Sequence, residues 1–243
     1  MTPAIRRFPD LPALTEAALA AVARIAREAV AARGVFTIAL SGGSTPMPLY
    51  AAMAGRGFGA PFASTVFFFG DERVVPVGDR RSNFGAIAPV LFTPSPIPVG
   101  NIHPMPVEVR PLELAAATYE DEVREVLGGG ADVSGALPRL DLVLLGMGPD
   151  GHTASLFPDR PALGETRRLV VAMEPPTTVE PRVARLTFTL PLLNAARNVL
   201  FLVGAKGKEE PLAAALHGPP DPHVPASLVR PTDGGLEWLI GEG

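Results

Sequence analysis

Short blocks of apolar residues recur along the chain, and each runs into glycine or charge. Val35-Phe36-Thr37-Ile38-Ala39-Leu40 leads to Ser41-Gly42-Gly43, and Val66-Phe67-Phe68-Phe69 leads to Gly70-Asp71-Glu72-Arg73. Leu140-Asp141-Leu142-Val143-Leu144-Leu145 leads to Gly146-Met147-Gly148. Blocks this short and this apolar predict buried strands. Further strands are expected near 168–173, 183–189 and 198–203, with a short last one around 236–240. Helical signals fill the gaps. Asp10 caps a helix over roughly 11–33 that Gly34 ends. Pro46 begins a short helix, and Ser82 or Asn83 caps another to about Val90. A charged amphipathic helix over about 111–127 stops at Gly128-Gly129-Gly130, and short helices follow near 191–196 and 207–217. The Pro-rich residues 94–106 and the Pro/Gly-rich residues 218–225 read as loops. Strands alternating with helices predict an α/β fold with a mainly parallel sheet covered on both faces. There is no internal repeat and no convincing linker, so residues 1–243 are expected to form one domain.

Composition narrows the class. Apolar residues make up 47% of the chain and charged residues 19%, enough for a sizeable core. The net charge is −4 with no basic run, which argues against a nucleic-acid partner. The chain has no cysteine, which excludes disulfides, thiolate nucleophiles and cysteine metal sites, and fits a reducing compartment. Residues 11–33 are apolar but carry Glu16, Arg24, Arg27, Glu28 and Arg33 without a small-residue cleavage site, unlike a signal peptide. No apolar stretch reaches transmembrane length. The expectation is a soluble cytoplasmic protein with no membrane contact.

In a parallel sheet, ligands gather beyond the carboxyl ends of the strands. The chemistry-bearing residues fall there. Ser41-Gly42-Gly43-Ser44-Thr45-Pro46 joins a strand to a helix. Its glycines let the backbone approach an anion, and its hydroxyls, N–H groups and helix start favour a phosphate. An ordinary capped turn is the plainer alternative. It is neither a Walker loop, lacking Gly-Lys-Ser/Thr, nor a nucleophile elbow, since Pro46 replaces the last glycine. In Gly70-Asp71-Glu72-Arg73, Arg73 can grip a phosphate or carboxylate, and Asp71 can bind sugar hydroxyls or act on a proton. A solvated loop with a local ion pair is equally open. Ser82-Asn83 could cap a helix, contact a substrate, or both.

Gly146, Gly148 and Gly151 match the G-x-G-x-x-G spacing of dinucleotide sites, and Glu174 sits where a ribose-binding acid could lie. Against this, Pro158 and Pro161 break the long helix such a site needs, and Asp150 would face the phosphates. His152 has no place in a plain turn. An imidazole can take a proton from water and return it, with Asp150 orienting it or holding substrate. A lone histidine with scattered acids lacks zinc-ligand spacing, so no metal is expected. His103, His217 and His223 lie in Pro/Gly-rich surroundings and read as superficial. Arg185, Lys206 and Lys208 are solvated cations by default, yet they sit at strand ends where a dianion would need charge.

Taken together, these segments and Arg185-Leu186-Thr187-Phe188-Thr189-Leu190-Pro191 through Arg197 resemble the glucosamine-6-phosphate isomerase/6-phosphogluconolactonase family over nearly the full length. The resemblance implies a Rossmann-like three-layer α/β/α sandwich without a dinucleotide, and no cofactor. It implies a sugar-phosphate substrate, with His152, Asp150 and Asp71 as catalytic residues. Gly42, Gly43, Ser44, Thr45, Arg73, Asn83, Gly148, Gly151, Arg185 and Lys208 would be the substrate-binding ones. Deaminases of the family carry a catalytic glutamate just before the final proline of the Asp-Gly-His segment; here Phe157 precedes Pro158. Deaminases also lack the Glu-Arg pair that follows Asp71. Both departures favour hydrolysis of 6-phosphoglucono-δ-lactone to 6-phosphogluconate in the oxidative pentose phosphate pathway. The family's phosphate-side lysine normally precedes alanine, but Glu209 follows Lys208, so Lys206 stays a candidate. An isomerase/deaminase and a non-catalytic sugar-phosphate sensor are the alternatives. A monomer or weak homo-oligomer is expected.

Overall fold

The computed structural model describes residues 3–128, 136–177 and 179–243. The chain begins with β1 (Ala4–Phe8), α1 (Leu11–Arg33), β2 (Phe36–Leu40), α2 (Met47–Arg56), β3 (Thr65–Phe69) and β4 (Asp71–Arg73). Then come α3 (Asn83–Ile87), extended by a π-helical turn over Ala88–Phe92, and α4 (Leu112–Val126). The rest comprises β5 (Leu142–Leu145), β6 (Val170–Met173), β7 (Arg185–Phe188), α5 (Leu190–Ala195), β8 (Asn198–Gly204), α6 (Glu209–His217) and β9 (Gly235–Gly241). Asp10 does cap α1, accepting from the Ala13 N–H at 2.8 Å, and Gly34 ends it in the left-handed region at φ 75°. Of the expected Gly128-Gly129-Gly130 stop, Gly129 and Gly130 lie outside the described residues.

Six strands form a parallel sheet in the order β1-β9-β8-β5-β2-β3, flanked by helices. Its central strands are buried along their length because both faces are covered. Three successive phenylalanines in β3 show this. Phe67 and Phe69 pack on Phe92, with ring centroids 5.5 and 6.2 Å apart, while Phe68 faces the other way onto Tyr119 and His103. His103 is therefore not superficial as expected: it stacks on Phe68 at 4.8 Å and its Nδ1 lies 2.6 Å from the Glu122 carboxylate. His217 and His223 are exposed.

Two features depart from the sequence pattern. β1 is an edge strand whose residues are largely exposed and include Arg6 and Arg7, so it carries no buried apolar block to read. The strands expected near 168–173 and 183–189 do not join the parallel sheet. As β6 and β7 they form a separate antiparallel sheet with β4, in the order β4-β7-β6. Gly70 is the junction: its N–H donates to Leu40 O in β2, while its carbonyl accepts from Phe188 N at the end of β7. The chain thus leaves one sheet and joins the other within a single residue.

Candidate active site

β2 and β5 are neighbours in the sheet, yet the chain goes on from β2 to β3 on one side and from β5 to β8 on the other. Where strand order reverses like this, the loops at the carboxyl ends diverge and leave a crevice. The turn after β2 forms one side of it. Gly43 sits at φ 93°, a conformation that favours glycine. Tyr50, from α2, fixes the turn: its hydroxyl donates to Ser41 O at 2.7 Å and accepts from Ser41 N at 3.0 Å. Burial pushes the Tyr50 phenol far above its ordinary value, so it stays a donor. A Cβ on Gly42 would lie 1.9 Å from Asn83 Oδ1. Asn83 is 2% exposed and does not line the cleft, contrary to its expected contact with substrate. It stands behind the wall, donating through Nδ2 to the Asp71 carbonyl at 2.9 Å and carboxylate at 3.2 Å.

β4 and β7 build the facing wall. Side chains alternate along a strand, so the three charges of Asp71-Glu72-Arg73 do not share one fate. Asp71 and Arg73 line the cleft. Glu72 points away and is buried, where it accepts from the N–H groups of Arg73, Asn83 and Phe84 and from the Ser82 hydroxyl. It anchors the start of α3, where Ser82 is the N-cap. Burial raises the Glu72 pKa despite the three backbone donors that oppose it. The solvated-loop reading of this segment does not hold.

Arg185 lies directly opposite Arg73 across the antiparallel pair and also lines the cleft. It donates to Pro181 O at 2.9 Å and to Ser155 Oγ at 3.3 Å, and its Nη1 is 3.9 Å from the Asp71 carboxylate. Desolvation lowers its pKa; Asp71 works against that fall and Arg73 adds to it. The Nε atoms of Arg73 and Arg185 are buried and have no hydrogen-bond partner among the described residues. Ser155 donates to Asp71 at 2.6 Å and is fully buried. Neither Ser155 nor Tyr50 is among the site residues expected from sequence. Ser155 lies inside the Asp-Gly-His segment, so its hydroxyl could have been flagged; nothing local marks Tyr50.

The turn after β5 supplies the imidazole. Gly148 N donates to His152 O at 2.9 Å, Gly151 N donates to Gly148 O at 3.1 Å, and Gly151 sits at φ 79°. A Cβ on Gly148 would come within 2.1 Å of the His152 ring. His152 Nδ1 lies 2.5 Å from Asp150 Oδ1. Burial opposes ionisation of Asp150, but its hydrogen bonds and charge interaction with His152 outweigh this and hold the carboxyl below its usual range. A carboxylate only accepts, so Nδ1 carries the hydrogen and the neutral ring keeps Nε2 as a base. Ala154, at φ 47°, is a strained residue in the cleft wall, and it turns the chain so that Ser155 reaches Asp71. Behind the turn, Ala226 N donates to Gly151 O at 3.0 Å, so Gly151, outside the cleft, is braced by the 3₁₀ turn Pro225–Leu228 that follows the 218–225 loop.

The cleft has a volume of about 210 Å³. Lys208, preceding α6, lines it, while Lys206 is exposed on the surface. Burial lowers the Lys208 pKa, and its ammonium donates to Met147 O. Arg73 and Arg185 thus stand with Asp71 on one wall, while Lys208, His152 and the Gly42-Gly43-Ser44-Thr45 turn line the rest of the cleft. The Gly146/Gly148/Gly151 spacing does not run into a long helix; after it comes only a 3₁₀ turn at Pro161–Gly164. Among the described residues no cluster of three or more His, Asp or Glu could hold a metal ion.

The family described as glucosamine-6-phosphate isomerases/6-phosphogluconolactonase matches residues 9–238. The chain is 40% identical over 243 residues to the 6-phosphogluconolactonase of Synechocystis, covering 100% of this chain and 97% of that protein. It is 37% identical over 217 residues to the human 6-phosphogluconolactonase, covering 87% of this chain and 80% of that one. The crystal structure of 6-phosphogluconolactonase from Thermotoga maritima superposes with a TM-score of 0.85 at 32% identity, covering 99% of this chain and 100% of that chain.

Proposed function

The chain belongs to the glucosamine-6-phosphate isomerase/6-phosphogluconolactonase family, and from that premise we propose that it hydrolyses 6-phospho-D-glucono-1,5-lactone to 6-phospho-D-gluconate, the second step of the oxidative pentose phosphate pathway. One observation carries the reading. A histidine held at Nδ1 by an ionised aspartate, with Nε2 left as the proton acceptor, opens on a small cleft lined by three cations, of which Arg185 and Lys208 are partly desolvated. That set suits a neutral reacting carbonyl attached to a phosphate dianion.

The 6-phosphate sits on the Gly42-Gly43-Ser44-Thr45 turn, with Arg73, Arg185 and Lys208 supplying charge. Gly148 leaves room for the His152 imidazole, and the sugar ring lies beside that imidazole. His152 Nε2 takes a proton from water, the oxygen attacks C1, and a tetrahedral intermediate forms. When the bond from C1 to the ring oxygen breaks, the imidazolium returns its proton to that oxygen. Asp150 holds the ring tautomer, and Asp71 keeps Arg185 aligned and can accept from a sugar hydroxyl. General acid–base help of this kind is worth ~10²–10⁴-fold, adequate for an activated ester. The enzyme works as one domain, as a monomer or weak homo-oligomer, in the cytoplasm. Among the described residues no helix is long and apolar enough to cross a membrane.

The test is His152→Ala assayed on freshly generated lactone against the spontaneous background. Enzymatic turnover should fall by about 10²-fold or more. Near-normal turnover in a folded variant refutes the role of His152. Ammonia release from glucosamine 6-phosphate by the wild-type protein would move the assignment to the isomerase branch, which the apolar Phe157 disfavours.

A further inference from the structure

Phe157 touches both halves of the cleft. Its ring centroid is 4.7 Å from that of His152, tilted by 43°, and the Arg185 guanidinium carbon lies 5.6 Å from the same ring centroid. The side chain is buried, at 3% exposure. No other residue among those described has ring or cation–π contact with both groups.

The surroundings of His152 show what that contact contributes. Asp150 binds one ring nitrogen, which fixes the tautomer and one point of the ring. The missing side chain of Gly148 leaves room for the imidazole on one side, within 2.1 Å of where a Cβ would be. One hydrogen bond still allows the ring to swing about the Nδ1 contact. Phe157 supplies the second constraint. Arg185 is in a similar position. It has hydrogen bonds to Pro181 O and Ser155 Oγ, but its Nε is buried without a partner and like-charged Arg73 lies opposite. The negative face of an aromatic ring favours a cation placed over it. It also withholds the competing hydrogen bonds that a polar side chain would offer.

We infer that Phe157 is a positioning residue that sets the distance and angle between the His152 imidazole and the Arg185 guanidinium, and so between the proton carrier and the phosphate grip. This rests on the lactonase reading with His152 as base. A rigid spacer matters here because the substrate's phosphate and carbonyl are joined by a fixed number of bonds. Misplacing either end by about 1 Å can cost 10²-fold in rate.

Phe157→Leu keeps apolar bulk but removes the flat face. The expected result is a kcat about tenfold lower and a KM several-fold higher, because both ends of the cleft loosen. The accompanying readout is NMR of the His152 imidazole. In the wild-type protein a single tautomer with hydrogen on Nδ1 and carbon-bound ring protons shifted upfield by the Phe157 ring current are expected. In Phe157→Leu the upfield shift should vanish and the tautomers should mix. A folded Phe157→Leu with unchanged kcat, KM and tautomer overturns the inference. So does a wild-type spectrum without the ring-current shift, which decides the matter even if the variant does not fold. His152→Ala separates the two levels: if it is inactive while Phe157→Leu is normal, only the positioning role fails, and if it stays active the lactonase mechanism itself fails.

Discussion

On the wall built from β2 and β5, Gly42, Gly43 and Gly148 keep side chains out; on the wall built from β4 and β7, Asp71, Arg73 and Arg185 crowd charge in. The first wall works through backbone and empty space. Its turns follow central strands of the parallel sheet and are fixed by bonds to backbone atoms, from the Tyr50 hydroxyl in one and from backbone N–H groups in the other. The second wall is a three-stranded sheet that carries two arginines opposite each other, with partly unpaired nitrogens. Like charges facing across a strand pair destabilise it. That wall holds its geometry through a buried network of Asp71, Ser155 and Asn83. Changes on the two walls should therefore fail differently. Damage to the glycine wall should cost turnover or turn stability, while damage to the charged wall should cost affinity and can even stabilise the fold.

Gly148→Ala should have the largest effect. A methyl group 2.1 Å from the imidazole, and 2.9 Å from Asp150 Oδ1, cannot be accommodated without moving the catalytic pair. A displacement of that order predicts a loss in kcat of about 10²-fold. Gly148 is not among the glycines with positive φ, so the backbone itself is not strained by alanine. Steady-state kinetics together with thermal unfolding check this: the expected pattern is a collapsed kcat in a protein of nearly normal Tm. Full activity would mean that the ring does not sit against Gly148.

Arg185→Met sharpens the contrast from the other wall. A hydrogen bond to a charged group is worth about 1.5–3 kcal/mol, so losing this cation should raise KM by roughly 10–100-fold. Asp71 keeps its hydrogen bonds from Ser155 and Asn83, and the repulsion between Arg73 and Arg185 disappears. Stability should then hold or rise, as expected where a site carries strain on behalf of function. A variant that loses kcat alone, with KM intact, would show that Arg185 serves the chemistry rather than phosphate binding, and the division between the walls would fall.

The same contrast explains how much of the site was legible in sequence. Ser41 to Pro46 and Gly146 to Phe157 each follow their strand directly, so a local pattern of apolar block, glycines and polar residues reveals them. The parallel sheet was legible for the same reason, through its buried blocks. The charged wall was legible only as candidate residues. β4 has three residues, too few to show a period, and its partner strand β7 lies far along the chain. Nothing local indicates that Glu72 turns inward to anchor α3, that Asn83 stands behind Gly42, or that Ser155 reaches Asp71. Those facts depend on long-range pairing, which strand alternation converts into side-chain direction only once the pairing is known.

Gly43→Ala should be the mildest change and the finest test of the glycine wall. At φ 93° the residue lies in the region that L side chains avoid, at a cost of about 1–2 kcal/mol. A Cβ there would meet nothing within 4 Å, so strain acts alone, without a clash. The turn is also pinned by Tyr50 on the Ser41 backbone, which limits how far it can relax. The expected outcome is a Tm lowered by a few degrees and a KM raised less than tenfold, with kcat nearly unchanged. Gly148→Ala should do the reverse, sparing Tm and removing kcat. If the two alanine variants behaved alike, the glycines would share one purpose. The separation between a glycine needed for backbone shape and one needed for empty space would then be wrong.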